Sequence, residues 1–249
     1  MQRLFPDPAH DVDVLEQYAG ERDLHDDRPW VVLNMVASLD GAVTVDGRSG
    51  GLASDADKRL FRALRTFPDV ILVGAGTVRA ERYGPPATDS AERAMREAHG
   101  AWPIARVAVV TRSASLDYGG RLFAEPTSRP LLLTTTSAPR DRVTHAREVA
   151  DVVEAGDDDV DLDAALRALG ELGARVALCE GGPHLNGHLL SAGLVDEVCL
   201  TVSPLLVSGG ADRIVAGDVL PGPLELELLH VLEEDGFLFL RYRRPGGDD

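Results

Sequence analysis

Two segments of the sequence combine glycines with side chains that can take part in chemistry. In residues 176–190, VALCEGGPHLNGHLL, an apolar run ends at Glu180, and the pair Gly181-Gly182 precedes Pro183 and a helix-like pattern. Glycines let a backbone approach a ligand closely, and the first N–H groups of a helix bind anions. The segment therefore predicts a phosphate or pyrophosphate site with one carboxylate beside it, or else a plain strand-to-helix turn.

The second segment, residues 69–80, reads DVILVGAGTVRA and repeats the order of strand, glycines and helix. Its glycines, Gly74 and Gly76, lack the spacing of the G-x-G-x-x-G dinucleotide motif, and no Walker pattern occurs in the chain. Open α/β sheets bind ligands beyond the carboxyl ends of their strands. Two such turns in one sheet can therefore hold two parts of one phosphorylated cofactor.

Several other catalytic motifs are missing from the sequence. It contains no Cys-x-x-Cys, His-Glu-x-x-His or Gly-x-Ser-x-Gly pattern, which disfavours zinc hydrolysis and a serine nucleophile. His184 and His188 share one helix face by their i, i+4 spacing, but a third ligand does not accompany them. We therefore expect an exposed or half-buried helix face there and no metal site.

The composition limits the class of partner. The chain of 249 residues carries a formal net charge of −16, which argues against nucleic acid and anionic membranes as general partners. No apolar run approaches the roughly 20 residues that span a bilayer, and the first residues lack a signal-peptide pattern. We expect a cytoplasmic protein with a small-molecule substrate, and buried free thiols at Cys179 and Cys199.

Alternating strand and helix patterns predict an α/β fold with a mainly parallel central sheet. The predicted strands cover residues 30–37, 70–73, 107–110, 130–134, 150–153, 175–179 and 195–202. The predicted helices cover residues 58–65, 78–82, 90–99 and 161–172, and a further helix ends at Gly193. Residues 224–232 and 237–242 flank an EEDG turn, which predicts an antiparallel C-terminal hairpin.

Six short motifs occur in a characteristic order along the chain. They are SLDG at 38–41, SGG at 49–51, DVILVGAGTVRA at 69–80, EGGP at 180–183, GLVDE at 193–197 and SP at 203–204. This arrangement resembles the reductase domain of riboflavin biosynthesis, which is the C-terminal half of bifunctional RibD and has a dihydrofolate reductase-like fold. The resemblance extends over about residues 28–242, which is nearly the whole chain.

The resemblance implies an architecture and an activity. The fold is expected to have three layers, with residues 1–28 as an N-terminal extension, 29–244 as the reductase domain and 245–249 as a flexible tail. The activity is the NADPH-dependent reduction of the ribosyl group of a phosphoribosylamino-pyrimidine to a ribityl chain. The cofactor supplies the hydride, while the protein aligns the nicotinamide with the sugar carbon and excludes water. A homodimer is also implied, with the C-terminal strands as a plausible interface.

The resemblance also implies roles for individual residues. The cofactor-binding positions are Val36, Ala37, Gly74, Gly76, Thr77, Glu81, Gly181, Gly182, Pro183, His184, Leu185 and Asn186. The substrate-binding positions are Ser49, Arg65, Tyr83 and Glu180, and the arginine fork suits a ribose 5-phosphate. Glu180 and Asp40 are the candidate catalytic residues, although Asp40 can instead hold an Asx-type turn. The sequence does not choose among Arg79, Arg82 and Arg112 for the cofactor's 2′-phosphate.

The sequence departs from the family pattern on the substrate side. The zinc deaminase motif of the bifunctional enzymes is absent. The family's Ala-Asp-Asp-Pro stretch is replaced by AERYGP at 80–85, and a tryptophan common in the bifunctional enzymes is Gly51 here. Two alternatives therefore stay open: the same fold and cofactor acting on a pterin such as dihydrofolate, or a non-catalytic NADP-binding relative.

Overall fold

The computed structural model describes residues 1–20, 22–86 and 89–245. The predicted flexible tail, apart from Pro245, lies outside the described residues. The strands are β1 (Gln2–Phe5), β2 (Trp30–Ser38), β3 (Val70–Gly74), β4 (Arg106–Val110), β5 (Leu131–Thr134), β6 (Asp151–Glu154), β7 (Val176–Cys179), β8 (Glu197–Ser203), β9 (Glu227–Glu234) and β10 (Phe237–Arg243).

All of these strands form one ten-stranded sheet in the order β1-β9-β10-β8-β2-β7-β3-β4-β5-β6. The pairs among β2 to β8 are parallel, whereas β1, β9 and β10 pair antiparallel. The predicted fold class, a mainly parallel sheet with an antiparallel C-terminal hairpin, is confirmed.

The helices are α1 (Val14–Tyr18), α2 (Asp55–Leu64), α3 (Ala75–Ala80), α4 (Ser90–Ala98), α5 (Arg121–Ala124), α6 (Arg140–Val149), α7 (Leu162–Glu171) and α8 (Pro183–Ser191). A short 3-10 helix covers Ser49–Leu52. None of the described helices is long and apolar enough to cross a membrane.

Helices cover both faces of the sheet and give the predicted three layers. Val70 and Leu72 of β3 pack on one face against α7 and α8. Ile71 and Val73 pack on the other face against α5 and α6, while α1 and α2 cover β2 on that same side. Strands β3 and β7, at the centre of the sheet, carry only apolar residues and one glycine because both of their faces are buried.

Four helical segments differ from the sequence expectation, and one of them is the four-residue helix α5, which was not predicted. The helix predicted at 78–82 is α3, and it begins directly after β3 because Gly74 is its extended N-cap and residues 75–77 form its first turn. Helix α6 was not predicted, because only Val143 and Ala146 of its ten residues are buried and its apolar pattern is weak. The 3-10 helix was also missed, since SGGL carries no helical periodicity.

The segment 1–28, predicted as an N-terminal extension, contacts the sheet at several of its described residues. Strand β1 pairs with β9, and helix α1 follows it within the same segment. Tyr18 is fully buried, and Arg28 forms two 2.8 Å hydrogen bonds to the carboxylate of Asp196. The edge of the sheet beyond β9 is therefore covered by the chain's own first strand.

Candidate active site

The carboxyl ends of three neighbouring central strands, β2, β7 and β3, surround a cavity of about 630 Å³. Its lining comes from the ends of these strands, the 3-10 helix, α2 and the starts of α3 and α8. The lining residues are Asn34, Met35, Val36, Val43, Thr44, Gly47, Ser49, Gly50, Ala53, Asp57, Lys58, Phe61, Gly74, Gly76, Thr77, Ala80, Glu81, Tyr83, Glu180, Gly182, Pro183, His184 and Leu185.

One wall of the cavity, which we name the glycine wall, consists of Gly74, Gly76, Thr77 and residues 182–185. The two glycine turns touch here, since the Gly74 N–H donates to the Gly181 carbonyl at 2.8 Å. A Cβ atom on Gly182 would lie 2.9 Å from the Thr77 hydroxyl oxygen. This wall is formed largely by backbone, and its close approach requires glycine.

Helix α8 begins at this wall and directs its N-terminus toward the cavity. Gly182 is its N-cap, Pro183 occupies the first turn, and no side chain caps this end in the described structure. The first N–H groups of a helix without such a cap are available to a ligand, and they favour negative charge. The glycine wall can therefore hold a phosphate.

The second wall, which we name the helix wall, contains Asp57, Lys58 and Phe61 of α2 together with Tyr83 and Glu180. Residues 57, 58, 61 and 65 follow the i, i+3, i+4 pattern of a single helix face. Arg65, the C-cap residue of α2, extends this face toward the end of β7. Its guanidinium lies 4.2 Å above the ring of Phe61.

A hydrogen-bond network fixes Glu180 in the helix wall. Arg65 donates from Nε to Oε1 and from Nη2 to Oε2 of Glu180, each at 2.7 Å. Arg65 Nη2 also donates to the hydroxyl oxygen of Tyr83 at 2.7 Å, and that hydroxyl donates to Glu180 Oε2. The Glu180 side chain is 5% exposed and that of Arg65 22%, so the ion pair is largely shielded from water.

The network determines the protonation of its members. Burial lowers the pKa of Arg65, but the adjacent Glu180 carboxylate raises it by more. The pKa of Arg65 therefore lies above its usual range. Burial, with a further contribution from Glu180, raises the pKa of Tyr83 well above 10. Arg65 therefore stays charged and Tyr83 stays a hydroxyl donor across the physiological pH range.

Ser49 and Glu81 are bonded to each other at the cavity edge. One carboxylate oxygen of Glu81 accepts from the Ser49 backbone N–H at 2.9 Å and from its hydroxyl at 3.0 Å. Glu81 therefore holds the first turn of the 3-10 helix in place. Gly51, the family's tryptophan position, leaves no room for a side chain, because its Cβ would lie 2.8 Å from Cβ of Val45.

The structure places some predicted site residues away from the cavity. Asp40 accepts from the Ser38 hydroxyl at 2.5 Å and from the Ser208 N–H at 2.6 Å, and these bonds lower its pKa to about 2. Asp40 thus holds the distant backbone at residues 207–208, which differs from the Asx-type turn on its own following residues that the sequence left open. Asn186 is fully buried and donates to the Ile214 carbonyl at 2.7 Å. Ala37 is buried within β2.

The three arginines considered for a 2′-phosphate also lie outside the cavity lining. Arg79 donates to the Ser115 carbonyl at 3.2 Å, and Arg112 pairs with Asp159 at 3.2 Å. Arg82 is exposed with a left-handed φ of 49°. His188 is exposed on the outer face of α8, as predicted.

Sequence reasoning missed three lining residues of the helix wall: Asp57, Lys58 and Phe61. The Asp57 N–H donates to the hydroxyl of Ser54, the N-cap of α2, at 3.1 Å, so the local sequence indicates only a helix start at this position. Burial raises the pKa of its carboxyl, against the opposing effects of Thr201 and Lys58. The signal that could have found all three is their shared helix face with Arg65.

Comparisons with known proteins agree with the family resemblance that the sequence motifs indicate. The sequence model of the RibD C-terminal domain matches residues 29–236. Two relatives are named 2,5-diamino-6-ribosylamino-4(3H)-pyrimidinone 5′-phosphate reductase. The one from Methanothermobacter thermautotrophicus is 34% identical over 88% of this chain and 100% of its own, and the one from Archaeoglobus fulgidus is 31% identical over 73% and 83%.

A solved structure also resembles the chain closely. It is a pyrimidine reductase-like protein from Corynebacterium diphtheriae, with a TM-score of 0.83 and 25% identity. The match covers 95% of this chain and 100% of that one. The arrangement of the sheet is therefore shared along nearly the full length of both proteins.

Proposed function

We propose a specific activity from one premise: the chain belongs to the RibD C-terminal domain family. We infer that it reduces 2,5-diamino-6-ribosylamino-4(3H)-pyrimidinone 5′-phosphate with NADPH and converts the ribosyl group to a ribityl chain. One observation carries the proposal: the glycine turns touch each other directly beside Glu180. A dinucleotide site and a fixed hydrogen-bond acceptor therefore share one cavity.

The names of the relatives support this choice of pyrimidine. Both carry the diamino-pyrimidinone phosphate in their names, and the match covers 100% and 83% of their lengths. The match therefore extends over most of the length of both relatives.

The glycine wall fits a phosphorylated dinucleotide. The space beside Thr77 exists only because Gly182 has no Cβ, and the start of α8 offers N–H groups to an anion. Thr77, Gly182 and the N–H group of His184 would hold the phosphates of NADPH. When bound, the reduced nicotinamide supplies a hydride to the sugar carbon.

Glu180 acts as an oriented hydrogen-bond acceptor in this proposal. A carboxylate has about four acceptor sites, and Arg65 and Tyr83 occupy three of them. The remaining site can accept from an N–H group of the pyrimidine. Arg65 and Tyr83 hold the carboxylate in one position, so the ring is aligned before the reaction.

Asp57 is the proposed source of the proton. Reduction of the ring-opened imine form of the sugar amine adds a hydride at carbon and a proton at nitrogen. Asp57 lines the cavity, and burial raises the pKa of its carboxyl, so the protonated form persists to a higher pH than in water. A donor with a pKa nearer to the operating pH transfers its proton more effectively.

Turnover of the named pyrimidine tests the function. The purified protein is mixed with NADPH and 2,5-diamino-6-ribosylamino-4(3H)-pyrimidinone 5′-phosphate, and oxidation of the cofactor is followed by absorbance. We expect a product that is heavier than the substrate by two hydrogen atoms. Binding of NADPH without oxidation would reject the substrate and would favour a non-catalytic relative.

Dihydrofolate is the second candidate substrate, and one observation favours it. Arg65, expected to receive the sugar phosphate, is held by Glu180 and Tyr83 instead. A fixed carboxylate also suits the N–H groups of a pterin ring. The ratio of kcat/KM for the two substrates, measured with the same enzyme and NADPH, decides between them, and we expect it to favour the phosphorylated pyrimidine.

The same proposal includes a cytoplasmic homodimer. Because β1 covers β9, a partner subunit would contact a face or loop of this end of the sheet and would not extend the sheet through β9. Light scattering during size-exclusion chromatography measures the mass in solution. A monomer at assay concentration would reject the dimer.

A further inference from the structure

The charges that line the cavity are unbalanced for the ligands of the proposed function. Asp57, Glu81 and Glu180 are acidic, whereas both the nucleotide and the sugar phosphate are anions. Among the described residues that line the cavity, Lys58 is the only lysine or arginine. It is also the only lysine in the sequence. The cavity thus has one mobile cationic side chain.

Arg65 does not supply a second free cation. Its Nε and Nη2 atoms both donate to Glu180, so the bidentate edge that would receive a phosphate is occupied. Breaking this pair would leave a buried carboxylate without its counter-charge, which is strongly unfavourable. Arg65 is therefore less available to a phosphate than an exposed cation of the cavity lining.

Lys58 is free to reorient toward an anion. Its side chain is 60% exposed, and its ammonium group pairs with Asp55 at 2.9 Å, one helical turn away. The Asp55 side chain is 88% exposed. An exposed ion pair of this kind contributes little stability and is readily exchanged. A phosphate dianion in the cavity offers Lys58 a partner with more charge.

The position of Lys58 on α2 fits the length of the substrate. Lys58 and Arg65 are seven residues apart on one helix face, which is about 10 Å along the axis. A pyrimidine bonded to Glu180 beside Arg65 would extend its sugar phosphate along this face. Lys58 lies on the helix wall with Asp57 and Phe61, and it does not belong to either glycine turn.

We propose that Lys58 binds the 5′-phosphate of the pyrimidine substrate. The proposal rests on the proposed function for the identity of the substrate, although an anion site at Lys58 can be measured without turnover. It assigns the phosphate to the helix wall and leaves the nucleotide to the glycine wall.

Kinetics of Lys58 variants test the assignment. We expect Lys58→Gln to raise KM for the phosphorylated pyrimidine at least about tenfold, with kcat and the KM for NADPH within about twofold of wild type. Lys58→Arg should restore most of the affinity. The dephosphorylated substrate should be insensitive to both changes. Arg59→Gln is the matched control, because Arg59 is a neighbouring cation that pairs with Glu234 away from the cavity.

Chemical protection tests the same site without turnover. Lys58 carries the only lysine amine of the sequence, and the α-amino group of Met1 pairs with Glu234 at 3.2 Å, so a label that an amine-reactive reagent places on Lys58 falls on a different peptide from a label on Met1. We expect ribose 5-phosphate to slow the labelling of Lys58 at least about tenfold, while ribose and adenosine 2′-phosphate do not. Peptide mapping by mass spectrometry locates the label.

The outcomes separate the site from the function. Protection by adenosine 2′-phosphate alone, equal protection by both phosphates, or protection by neither would overturn the assignment of Lys58. Protection by ribose 5-phosphate in an enzyme that does not reduce the pyrimidine would support the anion site and reject the proposed function.

Discussion

The two walls of the cavity differ in the groups that form them. The glycine wall is mainly backbone: Gly74 donates to Gly181, and Gly182 leaves space beside Thr77. The helix wall is mainly side chain, with Glu180 held by an arginine and a tyrosine. A backbone wall tolerates few residue types, whereas a side-chain wall can change its ligand by exchanging a few groups.

This difference explains where the sequence departs from its family. The glycine turns retain the family's motifs, but AERYGP replaces the family's stretch at 80–85. Tyr83, which this replacement introduces, donates to Glu180 and accepts from Arg65. The departure therefore falls on the wall that we assign to the substrate and leaves the wall that we assign to the cofactor unchanged.

The largest expected effect comes from Glu180→Gln on the helix wall. The substitution leaves the shielded Arg65 charge without its partner, which costs about 3 kcal/mol in the free energy of unfolding. We also expect kcat/KM for the pyrimidine to fall by about 100-fold or more, equal to about 2.7 kcal/mol. Steady-state kinetics and urea denaturation measure the two effects.

A surface pair provides the matched control for Glu180. Glu227 pairs with Arg243 at 2.8 Å, but their side chains are 52% and 37% exposed. Glu227→Gln should change the free energy of unfolding by less than about 1 kcal/mol and leave activity unchanged. Equal effects of the two substitutions would contradict the shielding that we assign to the Glu180 network.

Gly182→Ala should have the next largest effect, and it acts on the glycine wall. Its Cβ would lie 2.9 Å from the Thr77 hydroxyl oxygen and intrude on the space between the two turns. We expect the KM for NADPH to rise about tenfold, with a smaller change in the KM for the pyrimidine. Gly222→Ala is the control, because its Cβ meets no atom within 4 Å. An unchanged KM for NADPH in Gly182→Ala would contradict the assignment of the nucleotide to the glycine wall.

The pH dependence of turnover sharpens the assignment of Asp57. Burial raises the pKa of this carboxyl, so its protonated fraction falls only as the pH rises through a value above the usual 3.8. A proton donor is active when protonated, and kcat should therefore decrease with rising pH over that range. Asp57→Asn should lower kcat roughly tenfold and should remove this dependence of kcat on pH. A wild-type profile that matches that of Asp57→Asn would exclude Asp57 as the donor.

The smallest effect is expected from Asp40→Asn, outside both walls. The carboxylate accepts from Ser38 and from the backbone N–H groups of Val207 and Ser208. Its loss should loosen that loop, while kcat/KM stays within about twofold of wild type. A loss of kcat/KM comparable to that of Glu180→Gln would instead support a catalytic role for Asp40.

The glycine wall was predictable from the sequence, whereas the helix wall was predictable only in part. Strand, glycines and helix follow one another within a dozen residues, so their local pattern reports the turn. Arg65 and Glu180 are 115 residues apart in the chain, and Tyr83 and Glu180 are 97 apart. Only folding brings them together, which is why each was predicted as a substrate contact without its partners.

Asp57 illustrates a second limit of sequence reasoning. Its N–H donates to the hydroxyl of Ser54, the N-cap of α2, and its side chain lines the cavity. The sequence pattern indicates only the cap. Helix α6 was missed for a related reason, since its polar sequence gives little sign of the two residues that it buries. The fold class was nevertheless predicted, because β3 and β7 are continuous apolar runs and strand patterns alternate with helix patterns along the chain.

The most direct test of the two-wall division is the equilibrium binding of NADPH to two variants, measured by isothermal titration calorimetry. Glu180→Gln changes the helix wall and should bind NADPH with a Kd within about twofold of wild type. Gly182→Ala changes the glycine wall and should weaken binding about tenfold, equal to about 1.4 kcal/mol. The reverse result, with NADPH affinity lost in Glu180→Gln and retained in Gly182→Ala, would contradict the assignment of cofactor and substrate to separate walls.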